Sequence, residues 1–308
     1  MFILLLAVFM LTSAAAQYNR ENLTLAKENT ISGYRYKNLW LFPVRANQAF
    51  QQHHKNLGNY TTLQEALLKK KIAITEVSEG NVNSLYLQNM SRDTIIVLAG
   101  EVVQGGKQDR MIAQDVLLYP MGRKTEVSVF CVEHGRWSAR EGNLSFNQYY
   151  SISTKEVRKA GAVSKNQNEV WNKVAETTEK NRASSNTGTL TSLKDSRSYV
   201  ATLKEYNDHF GTVFENGNDV IGIVAVSGNE ILGADLFASN ALFRKQYQNL
   251  LNSYASEAIT SGKPASIDYQ KVLAYFNNLM DEKRQEKEVK ENGTMLKKDG
   301  KTLHISTF

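Results

Sequence analysis

The sequence predicts an α+β fold with a mainly antiparallel sheet and with helices concentrated in the C-terminal half. In the first half, short β-branched runs alternate with Gly, Asn, Ser and Asp, as at residues 72–77, 84–88 and 94–98. In the second half, apolar residues recur with the helical period, most regularly from Leu242 to Ala258. No internal repeat or proline-rich linker divides the chain, which indicates a single domain.

Local signals in the first half predict where individual elements begin. Thr62 and Glu65 form a capping box, which predicts a short helix that ends near Lys70. Residues 38–45 predict a strand. Pro43 indicates that this strand lies at a sheet edge or ends there, because proline has no N–H to donate to a neighbouring strand.

The second half carries a hairpin signal and two helix starts. Residues 219–226 and 230–237 predict two strands, and the Ser-Gly-Asn sequence at residues 227–229 predicts the turn between them. Ser239 and Ser266 each precede an apolar pattern of helical period, so both are predicted N-caps. We therefore expect a hairpin followed by two amphipathic helices.

The N-terminus has the pattern of a signal peptide over residues 1–16. Its apolar run has the length of a signal core and is too short to span a bilayer, and small residues precede a predicted cleavage site near Ala16. We expect export to the periplasm or the extracellular space; the alternative is a buried N-terminal strand. Residues 17–37 predict a flexible lead-in, and residues 38–308 the single domain.

Composition narrows the classes of partner. The net charge is +6, but basic residues are interleaved with acidic ones and form no stripe with stacking aromatics, which argues against nucleic-acid binding. No later segment is apolar enough for stable membrane insertion. One cysteine cannot form an internal disulfide, so we expect stability to come from packing alone. The oligomeric state stays open.

The segment from Leu98 to Trp137 places charged residues where the pattern predicts burial, which is typical of a functional site. The candidate catalytic residues are Glu101 and Glu133, as general acid, general base or hydroxyl ligands. The candidate ligand-binding residues are Gly105, Gly106, Lys107, Gln108, Arg110, His134, Arg136 and Trp137. The glycine N–H groups and the cations would hold an anion, and Trp137 would stack on a base or sugar.

Each of these features also has a structural interpretation. The glycine pair fits a tight hairpin turn, and Glu133 with Arg136 fits a salt-bridge cluster at a sheet edge. Cys131 and Arg136 have the spacing of a rhodanese active loop, but Cys131 lies late in an apolar strand and is predicted to be a core residue.

The sequence lacks the motifs that several classes of enzyme require. The glycine segment is not a nucleotide phosphate loop, because Lys107 comes one residue late and Gln108 replaces the Ser or Thr that would ligate magnesium. No histidine pair has the spacing of a helical zinc site, and no C-x-x-C motif exists, so we predict neither a metal nor a cofactor. The serine-hydrolase elbow G-x-S-x-G is also absent.

Four motifs in a fixed order resemble one family. They are G-E-x-x-x-G-G-K-Q-x-R at residues 100–110, C-V-E-H-G-R-W at 131–137, V-R…V-W at 157–171 and V-I-G…D-L-F at 220–237. Together, over about residues 38–260, they resemble the ARG and Rhodanese-Phosphatase-superfamily-associated Protein domain. The resemblance implies a poorly characterised α+β domain that handles an ADP-ribose-like or other phosphorylated small molecule. It carries over no catalytic residue.

Two functional hypotheses follow. In the first, the protein is an exported domain that binds a small anionic ligand through the charged segment, with hydrolysis of that ligand as one version. In the second, it is a non-enzymatic envelope or interaction protein in which the same charges stabilise the fold. The first requires these residues to surround an open cavity, whereas the second requires them to be paired with one another.

Overall fold

The computed structural model describes residues 18–27, 32–77, 81–138 and 144–308. In chain order the strands are β1 (Leu23–Leu25), β2 (Arg35–Tyr36), β3 (Leu39–Ala46), β4 (Tyr60–Thr62), β5 (Ile72–Glu76), β6 (Ser84–Asn89), β7 (Thr94–Val97), β8 (Glu101–Gly105), β9 (Arg110–Ile112), β10 (Val116–Leu118), β11 (Thr125–Cys131), β12 (Phe146–Ile152), β13 (Val220–Ser227), β14 (Glu230–Phe237), β15 (Gly293–Lys298) and β16 (Lys301–Thr307). The α-helices are α1 (Gln48–His54), α2 (Leu63–Leu68), α3 (Lys155–Ala162), α4 (Gln167–Lys180), α5 (Arg197–Phe210), α6 (Asn240–Thr260), α7 (Tyr269–Leu279) and α8 (Glu282–Asn292).

The largest sheet joins the two ends of the described chain. Its strand order is β1-β3-β13-β14-β16-β15, with β2 paired to β3, and every pair is antiparallel. Both faces are apolar, as expected for an antiparallel sheet covered on both sides. Helix α6 packs on one face, around Leu41 and Phe237, and α7 packs on the other, around Phe42 and Leu236.

The second large sheet curls towards a barrel. Its order is β12-β8-β9-β11-β6-β5, again antiparallel, and an isolated bridge between Thr75 and Ser145 joins its two edges. Side chains such as Leu87, Ile112 and Val129 fill its interior, together with residues of α2. Helices α3 and α4 cover part of the outside. A small sheet, β10-β7-β4, adds the one parallel pair, β4 with β7, found among the described residues.

The predicted fold class is confirmed. The capping box is present, with Thr62 accepting from the Glu65 N–H and Glu65 accepting from the Thr62 N–H. Strands β13 and β14 form the predicted hairpin, and Ser239 caps α6. Helix α7, however, is capped by Asp268 rather than Ser266, so it starts later than expected.

Two local expectations need correction, and a third concerns residues that the structure does not describe. The lead-in is packed in part, because residues 23–25 form β1 against β3 and the side chain of Tyr18 is buried. Pro43 lies inside the sheet, not at its edge, since β3 runs between β1 and β13. The predicted signal peptide, residues 1–16, lies outside the described residues.

Candidate functional site

The predicted site residues at the end of the barrel are organised by Arg136. Strand β11 ends at Cys131, and the chain then turns so that Arg136 folds back over the loop between β8 and β9. The guanidinium contacts Glu133 and Asp109 and the carbonyls of Gly105 and Gly106. We call these five residues the Arg136 clamp.

Every donor of Arg136 has an acceptor within the protein. Its Nε donates to Glu133 at 3.0 Å, and Nη1 donates to the carbonyls of Gly106 at 2.6 Å and Ser138 at 2.8 Å. Its Nη2 donates to Glu133 Oε2 at 2.7 Å and to the Gly105 carbonyl at 3.1 Å. A guanidinium has five N–H groups. Arg136 therefore uses its whole donor set to hold two loops together, and it has no donor left for an anion.

The two carboxylates of the clamp are buried and fully engaged. Asp109 accepts from the hydroxyls of Thr189 and Thr191, each at 3.0 Å, and the Asp109 N–H donates to Glu133 Oε2 at 3.0 Å. Burial works to raise the pKa of Glu133, but the hydrogen bonds from Arg136 and the Asp109 backbone outweigh it and lower that pKa. Glu133 is thus held as a carboxylate, and it accepts hydrogen bonds from Arg136.

The glycine turn is tight, and its N–H groups face inward. A Cβ on Gly105 would lie 2.3 Å from the Ser145 carbonyl oxygen, and one on Gly106 would lie 2.4 Å from Phe146, so both positions require glycine. The N–H groups of Gly105, Gly106 and Lys107 donate to Asp109, Ser145 and Glu76. The expectation that these groups grip an anion does not match this geometry, because each already has an acceptor.

Arg110 and Gln108 are also internal. Arg110 is fully buried inside the barrel end, where Nη1 donates to the Gln108 carbonyl at 2.8 Å and Nη2 lies 3.7 Å from Glu76 Oε1. The Gln108 side chain donates to the His134 carbonyl at 3.2 Å. Both side chains fix the walls of the barrel end and do not reach solvent as the predicted ligand contacts would have to.

Glu101 lies apart from the clamp. It is fully buried at the start of β8, where its carboxyl accepts from the Leu98 N–H at 2.7 Å and from the Tyr149 hydroxyl at 3.2 Å. Burial, with a smaller contribution from Asp115, raises the pKa of Glu101 to about 8. The structure therefore does not pair Glu101 with Glu133, and in neutral solution the Glu101 side chain is mostly uncharged.

Three of the predicted site residues face solvent. Trp137 is 55% exposed, and the Lys107 ammonium lies 5.4 Å from the centroid of its ring. His134 is exposed, and the centroid of its ring lies 4.5 Å from that of Trp171, with the two rings perpendicular. We call Lys107, His134 and Trp137 the Lys107–Trp137 surface. The clamp holds its backbone, because Arg136 bonds both to the turn before Lys107 and to the carbonyl of Ser138.

A second charged network lies at the junction of the two large sheets, and sequence reasoning missed it. Asp235 of β14 is fully buried and accepts from Arg158 of α3 at 3.2 Å and from Ser306 of β16 at 2.6 Å. The His304 imidazole bridges Asp235 and Asp115, with distances of 3.2 and 2.8 Å. Arg158, Asp235, His304 and Asp115 form what we call the Asp235 network.

The charge states in this network support one another. Burial opposes a charge on His304, but Asp115 and Asp235 outweigh it and raise the pKa of the imidazole to about 9, so both ring nitrogens donate. Burial also works against the charge of Asp235, yet Arg158 and His304 hold its pKa well below the usual range. The network joins the barrel side of the molecule to the large sheet.

Comparison with known protein families matches residues 29–307 to the ARG and Rhodanese-Phosphatase-superfamily-associated Protein domain. The chain belongs to this family. The match extends the region recognised from sequence motifs, residues 38–260, in both directions. Searches among curated proteins and among solved structures give no match.

The family name does not make Cys131 a rhodanese nucleophile. Its side chain is buried in β11, burial raises the pKa of its thiol, and its backbone pairs with the Gln167 side chain at 2.8 Å in both directions. Among the described residues, no group of three or more His, Cys, Asp or Glu side chains is arranged to hold a metal. No helix within those same residues is long and apolar enough to cross a bilayer.

We expect the Arg136→Met variant of this family member to unfold more easily. Methionine keeps much of the side-chain length but leaves Glu133 and Asp109 buried without their cation, which should cost about 2–3 kcal/mol. Urea denaturation monitored by circular dichroism measures this. Arg284→Met, in exposed helix α8, is the control and should change stability by less than about 0.5 kcal/mol. Equal stability of both variants would contradict the clamp.

Proposed function

We propose that this is an exported protein that binds a small anionic ligand of the phosphorylated or ADP-ribose class on the Lys107–Trp137 surface. The observation that carries the proposal is an exposed tryptophan and a lysine held side by side on loops that the Arg136 clamp fixes. An indole stacks on a base or a sugar, and an ammonium pairs with phosphate. The proposal of export rests on the signal pattern of residues 1–16.

This version of the ligand hypothesis is narrower than the one the sequence suggested. Arg110, Gln108 and the two glycines are internal, so they act as supports for the surface rather than as ligand contacts. Glu101 and Glu133 are also buried, and neither reaches a ligand stacked on Trp137. We therefore propose binding without hydrolysis.

A second candidate, an envelope protein that contacts another macromolecule, is favoured by one observation. The charges of the clamp are satisfied internally, as expected if their purpose is stability. The exposed Trp137 would then be a contact residue for a protein partner, since tryptophan is enriched in such contacts. The two candidates share the surface but differ in what occupies it.

Titration with ADP-ribose, followed by thermal shift and calorimetry, tests the proposal. The ligand should raise the melting temperature of the wild type, and Trp137→Ala should abolish that increase because the stacking wall is lost. Lys107→Ala should weaken binding roughly tenfold, since one phosphate contact is lost. AMP and ribose 5-phosphate separate the base contact from the phosphate contact.

Tyr119→Ala is the matched control, because Tyr119 is 56% exposed, close to the 55% of Trp137. It should leave ADP-ribose binding unchanged. If none of the three ligands binds, or if Tyr119→Ala and Trp137→Ala weaken binding equally, the small-ligand proposal fails. Capture of a single envelope protein that depends on Trp137 would then support the second candidate.

A further inference from the structure

A cleft of about 650 Å³ is lined by none of the site residues predicted from the sequence. It lies between the tip of the β13–β14 hairpin, the segment 261–266 that follows α6, and helices α3 and α4. Its size is in the range of small-molecule sites. Both signs of charge line it, so its chemistry depends on which of these charges are already paired.

Glu257 of α6 stands out in this cleft. The residue is only 7% exposed and lines the cleft wall. Its Oε2 accepts from the Glu156 N–H at 3.5 Å, the outer limit of a hydrogen bond. Within the described part of the chain, Oε1 has no hydrogen-bond partner and neither oxygen forms a salt bridge. A buried carboxyl group without a cation is costly, and a cationic guest would offset that cost.

The lysines on the helical wall are engaged elsewhere. Lys173 contacts Glu176 at 3.2 Å, and Lys180 contacts Glu176 at 2.7 Å and the Ser261 hydroxyl at 3.1 Å. Lys155 lies 3.6 Å from Glu156. Each of these three ammonium groups therefore contacts Glu156 or Glu176, and none of them forms an ion pair with Glu257.

Lys263 provides the complementary free charge at the rim. Its backbone is fixed to the hairpin tip, because its carbonyl accepts from the Gly228 N–H at 2.8 Å and its N–H donates to the Ser227 hydroxyl at 3.2 Å. The side chain is exposed, and its ammonium has no ion-pair partner among the described residues. The cleft thus has a carboxyl group without a cation in its wall and an available cation at its edge.

We propose that this cleft binds a small zwitterion, an amino acid or a short peptide, with its ammonium on Glu257 and its carboxylate on Lys263. A purely anionic guest would lie against Glu257, and a purely cationic one would lie near Lys263 and the helical lysines. A zwitterion satisfies both free groups at once. This site is separate from the Lys107–Trp137 surface and does not depend on the function proposed there.

The proposal carries a pH dependence. Burial, reinforced by nearby Glu156 and Glu176 and opposed by Lys155, raises the pKa of Glu257 above its ordinary value. Below that raised pKa the carboxyl holds a proton and cannot pair with an ammonium. Affinity for a zwitterion should therefore increase as the pH rises through that raised pKa, with release of a proton on binding.

Isothermal titration with alanine, dialanine and trialanine tests the site, because the three probes differ only in the separation of their charged ends. At least one should bind the full protein, and N-acetylalanine and alaninamide, which each lack one charge, should bind at least tenfold more weakly. Glu257→Gln and Lys263→Gln should each reduce affinity at least tenfold. Glu230→Gln, a change to an exposed glutamate of the same cleft, is the matched control and should not.

Three results would overturn the zwitterion site. One is that none of the three probes binds, and another is that N-acetylalanine or alaninamide binds as well as the parent probe. The third is that Glu257→Gln, shown by circular dichroism to melt like the wild type, binds the probes unchanged. The exposed Lys263 gives an independent check, because Lys263→Gln does not touch the buried core.

Discussion

Arg158→Met is expected to lower the free energy of unfolding by about 3–5 kcal/mol, because it removes the cation from a fully buried ion pair. Asp235 and Asp115 would then share only the positive charge of His304. The aliphatic part of the Arg158 side chain also runs past Gly100, where a Cβ would lie 2.7 Å from Arg158 Cγ. The backbone at Gly100 therefore leaves room for this side chain. Urea denaturation of wild type and variant at pH 7 measures the loss.

A matched control for Arg158→Met is Arg45→Met. Arg45 also pairs with an aspartate, Asp219, at 2.6 Å, but both side chains are about 40% exposed, at 39% and 42%. An exposed pair contributes at most about 1 kcal/mol, so Arg45→Met should have a small effect. If the two variants lose stability equally, the Asp235 network does not hold the two sheets together as described.

Glu101→Gln should remove a large part of the stability loss that we expect as the pH rises from 4.5 to about 8. The folded-state pKa of Glu101 is about 8, against an ordinary value of 4.5, so the folded protein binds a proton that the unfolded chain has released. The resulting stabilisation is fully present below pH 4.5 and is lost as the pH rises to about 8, at up to about 1.4 kcal/mol per pH unit. Glutamine is neutral at every pH, so the variant has no such pH-dependent loss of stability at this position.

Urea midpoints of wild type and Glu101→Gln at pH 5, 6, 7, 8 and 9 give the difference in slope that isolates Glu101. His304 contributes with the same sign, because its pKa rises from 6.5 to about 9 and its stabilisation disappears as the pH passes through that range. The variant should therefore keep a decline above about pH 6.5, to which His304 contributes. Parallel curves for wild type and variant would show that Glu101 is not a buried acid.

Local signals predicted the elements whose cause lies in neighbouring residues. The capping box at Thr62, the N-cap at Ser239 and the β13–β14 hairpin all depend on residues within a few positions of one another. Helix α7 was displaced because Asp268 accepts from the Gln270 N–H and so caps the helix later than Ser266. Two candidate capping residues so close together cannot be ranked from sequence alone.

Pro43 shows how tertiary context changes a local rule. Its carbonyl accepts from the Ala26 N–H, just beyond the end of β1, and the N and O of a strand residue point to the same side. The missing proline N–H thus falls where β1 has already ended, and the strand is tolerated inside the sheet. The proline indicated a gap in pairing, and the sequence alone assigned that gap to a sheet edge or a strand end.

The candidate site was predicted in position better than in chemistry. The pairing of Glu133 with Arg136 follows from their proximity in the chain, whereas the engagement of every Arg136 donor depends on carbonyls of the glycine turn, about 30 residues earlier. Asp109 lay at the unassigned position of the G-G-K-Q-x-R motif, between two predicted site residues, and that position was the available signal. Arg158 and Asp235 are 77 residues apart, and no local pattern connects them.

In this protein the charged motif holds the fold, and we propose that Trp137 contacts the ligand. The chain has three tryptophans, Trp40, Trp137 and Trp171, so its indole N–H signals in a ¹⁵N-correlated NMR spectrum can be assigned with three Trp→Phe variants. During titration with ADP-ribose, the Trp137 signal should move strongly and that of buried Trp40 should stay in place. A Trp137 signal that remains fixed at saturating ADP-ribose, with or without movement of Trp40, would contradict the claim.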